Sequence, residues 1–220
     1  MKRLWLIFCL AILIAPVVLI AENLGDWKAA YGDWKMINGR LTQLSLKAGM
    51  AMAHIYLPQS GVMQYEVDVR YLGGLEDEYG GFGFHVFVDK PHSGKSWGSG
   101  KSDLLWITYD PEAYGGWGVY GQAYKSKTHI DMNLLHKGDA YGLPGSYVRK
   151  IDVSKLNKYY LPIKIVIDGD TGIVKAYDPT VANYYYKFSL GGALGRGSYV
   201  SVRTNSLAAS FANFRVTKLR

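Results

Sequence analysis

VMQYEVDVRY, residues Val62 to Tyr71, alternates without a break. Met63, Tyr65, Val67, Val69 and Tyr71 fall on one face, and Gln64, Glu66, Asp68 and Arg70 on the other. A period of two is the signature of a strand with one face on a core and the other toward water. The flanking sequence repeats the reading. In FGFHVFVD, Phe82, Phe84, Val86 and Val88 share a face. Further strands are expected at Asp103–Tyr109, Trp117–Tyr124 and His129–Leu135. Toward the N-terminus, Tyr31–Ile37 runs into Asn38-Gly39 and Arg40–Leu46 returns. Asn-Gly suits a two-residue hairpin turn, where both residues take positive φ. Toward the C-terminus, Tyr159–Asp168 and Gly172–Tyr177 flank Gly169-Asp170-Thr171, a second hairpin. Pro162 puts the first of these strands at a sheet edge or a strand start. Gly191–Gly197 reads as a turn, and Ser198–Thr204 and Ala208–Thr217 close the chain. Val153–Tyr159 has room for one helical turn, and Lys90–Ser102 reads as an exposed loop. No helix of ordinary length, internal repeat or linker is visible. Many short, evenly spaced strands predict an all-β fold, a single two-sheet antiparallel sandwich.

Composition agrees. Of 220 residues, 49% are hydrophobic and 20% charged, which excludes a disordered chain. The 26 Gly and 18 Tyr favour turns and strands over helices. The formal charge of +7 is modest. No Lys/Arg run marks a nucleic-acid tail, and nucleic acid is not an expected partner. Cys9 is the one cysteine, so the rest of the chain has neither a disulfide nor a thiol nucleophile.

Lys2 and Arg3 precede LWLIFCLAILIAPVVLIA, apolar from Leu4 to Ala21. This is the layout of a secretory signal, interrupted by Pro16 and nearly long enough to span a bilayer. The expected organisation is an export signal at residues 1–21, cleaved after Ala21 or kept as an anchor, and a β-sandwich at residues 22–220. Either outcome places the domain in the periplasm or outside the cell, with membrane contact only through an uncleaved N-terminal segment.

Several segments resemble the concanavalin A-like lectin/glucanase superfamily. DWKMINGRLTQ (Asp33 to Gln43) resembles the first hairpin of its single-domain, glycoside-hydrolase-like modules from secreted bacterial proteins. QYEVDVRYLGG resembles their first long strand, IKIVIDGDTGIVKAYDP the hairpin before the last strands, and ASFANFRV (Ala209 to Val216) the closing strand. The resemblance implies a jelly roll whose concave face commonly binds carbohydrate. Fold does not fix function.

Retaining glucanases of this superfamily carry Glu-x-Asp-x-x-Glu along one strand, pointing carboxylates into a cleft. The nearest match here is Glu66-Val67-Asp68-Val69-Arg70-Tyr71, with Tyr71 in place of the third acid. Glu66 and Asp68 share a face roughly 7 Å apart. Arg70 on that face would hold both ionised, which opposes a general-acid role. Retaining chemistry needs two carboxyls about 5–5.5 Å apart. Glu66 and Asp68 are therefore weak catalytic candidates, and a solvated polar face is the plainer reading.

The acidic cluster Glu76-Asp77-Glu78 offers oxygen ligands for calcium, though such clusters are more often solvated loops. In related modules an Asp just before the closing Asn-Phe helps hold calcium; here that position is Ala212. No other cofactor is expected. Asp168-Gly169-Asp170 lacks the flanking helices and later ligands of a calcium loop. Gly100-Lys101-Ser102 lacks the earlier glycine of a phosphate loop. The histidines show no paired metal spacing, and His85 reads as structural.

Aromatic density peaks from Trp97 to Tyr124. Trp97, Trp106, Tyr109, Tyr114, Trp117 and Tyr120, with Arg70, are the candidate ligand-binding residues, because exposed rings stack on sugars and also anchor protein interfaces. Core packing must claim some of them. The expected function is an exported, non-catalytic carbohydrate- or ligand-binding module, with polysaccharide or an envelope protein as partner. The alternative is an assembly subunit of a cell-envelope machine; periplasmic flagellar sheath proteins are similar in fold and export. A divergent glycoside hydrolase is the third reading.

Overall fold

The structure is a computed structural model that describes residues 17–20, 26–74, 80–109, 119–137, 158–179 and 181–220. Fifteen strands and no helix occur among the described residues. They are β1 (Val17–Ile20), β2 (Lys28–Tyr31), β3 (Trp34–Ile37), β4 (Arg40–Gln43), β5 (Ala51–Gln59), β6 (Val62–Gly74), β7 (Gly81–Val88) and β8 (Ser102–Tyr109). Then come β9 (Val119–Ser126), β10 (Met132–Lys137), β11 (Leu161–Asp168), β12 (Ile173–Tyr177), β13 (Tyr185–Ser189), β14 (Gly197–Asn205) and β15 (Leu207–Lys218).

Two antiparallel sheets result. The first runs β13-β12-β11-β6-β15-β4-β3, with β1 also pairing β15; the second runs β10-β9-β8-β7-β14-β5-β2. The expected two-sheet sandwich is present. The apolar faces of both sheets meet in one core. Tyr65, Val67 and Val69 of β6 face Phe82 and Phe84 of β7, Ile55 of β5 and Val202 of β14 within it. Phe211 of β15 sits at its centre against Trp34, Phe82 and Phe84, and Phe214 packs edge-on to Trp27.

Buried polar side chains tie the strands together. The Tyr65 hydroxyl and the Phe87 N–H both donate to Oε1 of Gln59, whose Nε2 donates to the Leu57 and Tyr199 carbonyls. Gln43 does the same between the sheets, donating to Thr204 Oγ1 and the Leu207 carbonyl. Paired in this way, buried amides cost little.

Several expected elements need correction. Tyr31–Ile37 is not one strand. Gly32, at φ 104°, bends the chain so that β2 joins the second sheet and β3 the first. A Cβ there would stand 2.7 Å from that of Ala51, so only glycine fits the crossing. The Asn38-Gly39 turn does have both φ values positive, at 50° and 75°. In β7, Phe87 sits at φ 53° in a bulge and enters the core, which turns Val88 away from the Phe82/Phe84 face. β5 and β13 are strands the alternation did not announce. Lys90–Ser102 is a loop, but Ser96, Gly98, Ser99 and Gly100 within it are buried. Most of Val153–Tyr159 lies outside the described residues.

Candidate functional site

The acids and Arg70 of β6 lie on the outer face of the first sheet. Glu66 stands directly between Lys164 of β11 and Arg215 of β15. Asp68 accepts a hydrogen bond from Asn213 Nδ2 at 2.6 Å. Arg70 lies over the Tyr160 ring at 5.5 Å, and Arg40 lies over the same ring at 5.1 Å. Tyr71 turns inward, and its hydroxyl donates to the Gly74 carbonyl. Each β6 acid is thus flanked by cations or amides on an open sheet face.

Trp97 and Trp106 lie on the outer face of the second sheet, the opposite side of the molecule from Arg70. Trp106 lies over Gly81 and Gly83, where a Cβ would approach its ring to 2.6 and 2.9 Å. The loop at residues 89–101 crosses above it. Trp97 packs edge-on to Trp106 at 6.4 Å and covers the guanidinium of Arg203. Trp106 is 5% exposed, so it is part of a packed layer and not an open stacking platform. Tyr114, Trp117 and Glu76-Asp77-Glu78 lie outside the described residues, as do the side chains of Tyr109 and Tyr120. The described aromatic candidates and Arg70 do not converge on one place. Among the described residues no three His, Cys, Asp or Glu side chains are grouped to hold a metal.

The structure gathers a different set of polar groups at one end of the sandwich. There the end of β7, the start of β8, the end of β9 and the turn between β13 and β14 enclose a cleft of about 440 Å³. Its walls carry Asp89, Lys101, Asp103, Lys125, Lys127 and Arg196, with Ser102, Ser126, Phe87 and Leu194 between them. Asp103 is in phase with Leu105 on the inter-sheet face of β8 and is 3% exposed. Lys125 is its cross-strand partner on β9. The Lys125 Nζ lies 3.3 Å from Asp103 Oδ1 and donates to the Leu190 carbonyl at 3.2 Å, tying the β13–β14 turn to the second sheet. Burial raises the Asp103 pKa to about 6, and the attraction of Lys125 only partly opposes it.

Asp89 fixes the neck of the loop above the cleft. Its Oδ1 accepts the N–H groups of Lys90 and Lys101 at 2.6 and 2.8 Å, and its own N–H donates to the Lys101 carbonyl. Gly100, at φ 61°, is required because a Cβ there would stand 2.3 Å from that same oxygen. The cleft therefore has stiff walls. It offers carboxyl and hydroxyl acceptors, ammonium and guanidinium donors, and apolar surface from Phe87 and Leu194. That is the mixture a sugar needs: hydrogen bonds to ring hydroxyls and contact with the C–H face. A second, apolar gap of about 120 Å³ lies between the sheets, lined by residues such as Leu105, Ile107, Leu161, Ile163 and Phe188. Gln122, Lys164, Asp178 and Tyr186 also line it, but most of its surface is apolar.

No protein family's sequence profile matches the chain, and no curated protein matches it. Solved structures do. The carbohydrate binding module CBM66 from Bacillus subtilis superposes with a TM-score of 0.55 at 14% identity, over 86% of this chain and 93% of that one. The lectin from Bauhinia forficata, solved in complex with GalNAc, gives 0.53 at 10% identity, over 92% and 98%. The fold is a concanavalin A-like jelly roll. The metal-free carbohydrate recognition domain of Emp46p agrees, with a TM-score of 0.51 at 13% identity, over 89% and 88%. At such identities the likeness carries the jelly roll and not a ligand.

Sequence reasoning missed Asp103, Lys125 and Arg203. For Asp103 a signal existed: it shares the period-two face of Leu105 and Ile107, which marks an acid on the buried side. Lys125 follows by pairing. Nothing in SVRTN distinguishes Arg203 from a surface arginine.

Proposed function

We propose that the chain is an exported, non-catalytic carbohydrate-binding jelly roll that takes its sugar in the end cleft around Asp103 and Lys125. The observation that carries this reading is the cleft itself, about 440 Å³, with a buried carboxyl facing a half-buried ammonium and a ring of side-chain donors. The carbohydrate-binding names of several fold neighbours support it. The non-catalytic reading is supported by the commitments of the acids. Asp103 faces Lys125, Asp89 Oδ1 is taken by two backbone N–H groups, and Glu66 and Asp68 stand on another face. The Leu4–Ala21 segment supports export to the periplasm or beyond.

A second reading, an assembly subunit of a cell-envelope machine, is favoured by exposed tyrosines: Tyr56 and Tyr159 at 65% and Tyr184 at 45%. Exposed tyrosines suit protein contact.

Retention of the purified protein on a panel of immobilised polysaccharides and envelope fractions separates the two. The cleft reading predicts retention on a glycan that is lost in Lys125→Met while the near-ultraviolet circular dichroism stays unchanged. Capture by envelope proteins with no retention on any glycan would replace it with the assembly reading.

A further inference from the structure

Under the loop at residues 89–101, the outer face of the second sheet encloses a cation with no counter-ion among the described residues. Arg203 of β14 is 0% exposed. Its Nε donates to His85 Nε2 at 3.2 Å, and its Nη2 donates to the Ser96 carbonyl at 2.5 Å and lies 3.6 Å from Met52 Sδ. The Trp97 ring lies over the guanidinium with its centre 5.6 Å away. Every one of these partners is neutral. Nη1 has no partner among the described residues.

Two buried hydroxyls on residues neighbouring Arg203 are also without partners among the described residues: Ser201 Oγ and Ser96 Oγ. Ser201 precedes Arg203 by two on the same face of β14. Ser96 belongs to the residue whose carbonyl already holds Nη2. Both are buried, at 0% and 5% exposed. Across the ladder from Ser201, His54 leaves Nδ1 unpartnered.

His85 cannot supply the missing charge. Because its Nε2 accepts from Arg203, its proton sits on Nδ1 and points to Ser102 Oγ, which donates onward to the Ser99 carbonyl. An uncompensated buried guanidinium is among the costliest things a fold can hold. Of the free groups around it Nη1 can only donate, and the two hydroxyls can donate as well. A water would fill hydrogen bonds but leave the charge unbalanced, whereas an anion accepts from all three and neutralises it. The covering loop is closely packed: a Cβ on Gly98 would stand 2.3 Å from the Thr128 carbonyl oxygen.

We infer that Arg203, Ser201 and Ser96 form a buried site for a small monovalent anion of the halide class, which balances the guanidinium and pins the 89–101 loop to the sheet. Because Asp89 and Lys101 of that loop wall the end cleft, an occupied site also stiffens the cleft.

The test follows thermal unfolding of the protein in sodium chloride and in sodium gluconate at equal ionic strength. The site predicts a Tm that rises with chloride alone, by about 3–5 °C per tenfold once above Kd. In Arg203→Met that dependence disappears. In Ser201→Ala it moves to at least tenfold higher chloride, and this variant carries the comparison should Arg203→Met not fold. Crystals grown in sodium bromide should give an anomalous peak within hydrogen-bonding reach of Nη1. The same Tm in both salts, or a water in place of bromide beside Nη1, overturns the site.

Discussion

Asp103 and His85 are buried ionisable groups whose titrations pull stability in opposite directions. Burial raises Asp103 from 3.8 to about 6, so the folded state holds its proton more tightly than the unfolded chain does. Its unfavourable contribution is absent below pH 3.8, grows as the pH rises and is complete above about 6. A shift of this size corresponds to about 3 kcal/mol. His85 has the reverse sign. Burial first, then the Arg203 charge, hold its pKa well below 6.5, so its contribution is present above 6.5 and is lost as the pH falls. Asp103→Asn should therefore gain up to about 3 kcal/mol at pH 8 relative to the parent, the attraction of Lys125 being already contained in the shift. The gain should vanish near pH 4, and the variant's acid loss below pH 6.5 should be steeper. Urea unfolding at pH 4, 6 and 8 checks this; a variant less stable at pH 8 would refute it. At this scale the sequence was only partly legible. The structural role of His85 could be read, and Asp103 lay in phase with a buried face. Arg203 could not be found, because its burial comes from a loop that folds over the outer face of its sheet, which strand periodicity does not encode.

Elements with clean alternation were legible, and those without it were not. β6 keeps its predicted faces along the whole of Val62–Tyr71. β5 was missed because Ala51, Met52 and Ala53 are all buried: Met52 lies under the loop at residues 89–101 while its neighbours face the core. Both faces are covered over these three residues, and beyond them the exposed positions carry Tyr56 and Pro58, which do not read as the polar face of a strand. β13 was hidden by Tyr184-Tyr185-Tyr186, which looks like an exposed loop although Tyr186 and Phe188 share an inward phase. Trp106 follows the same logic, since the sheet leaves space for its ring only by placing glycine at residues 81 and 83. Gly83→Ala sets a Cβ 2.3 Å from the Leu105 carbonyl oxygen and 2.9 Å from the Trp106 ring. It should cost about 1–3 kcal/mol of stability in denaturant unfolding and perturb tryptophan fluorescence. Phe211→Ala, at the aromatic centre of the core, should cost about 3–5 kcal/mol in the same measurement. A neutral result for either would contradict the packing described.

The whole molecule is a jelly roll whose candidate groups fall in three places: the outer face of the first sheet, the packed layer on the second, and the end cleft. The cleft joins the buried Asp103 carboxyl to open volume. The fold class could be read because two-sheet architecture follows from strand pattern, turn chemistry and family resemblance together. The cleft could not, because it is assembled from the ends of strands and two turns distant in sequence. Val17–Ile20, inside the expected export segment, pairs with Arg215–Lys218 of β15. If export removes the segment after Ala21, N-terminal sequencing of the exported protein should begin at Glu22, and that part of β15 becomes a sheet edge. The most direct test of the central claim is nuclear magnetic resonance of the labelled protein titrated with whichever glycan retains it. The account predicts the largest shift changes at Asp103, Lys125, Ser126, Lys127 and Arg196. Changes confined to Glu66, Asp68 and Arg70, or to the exposed tyrosines, would contradict it.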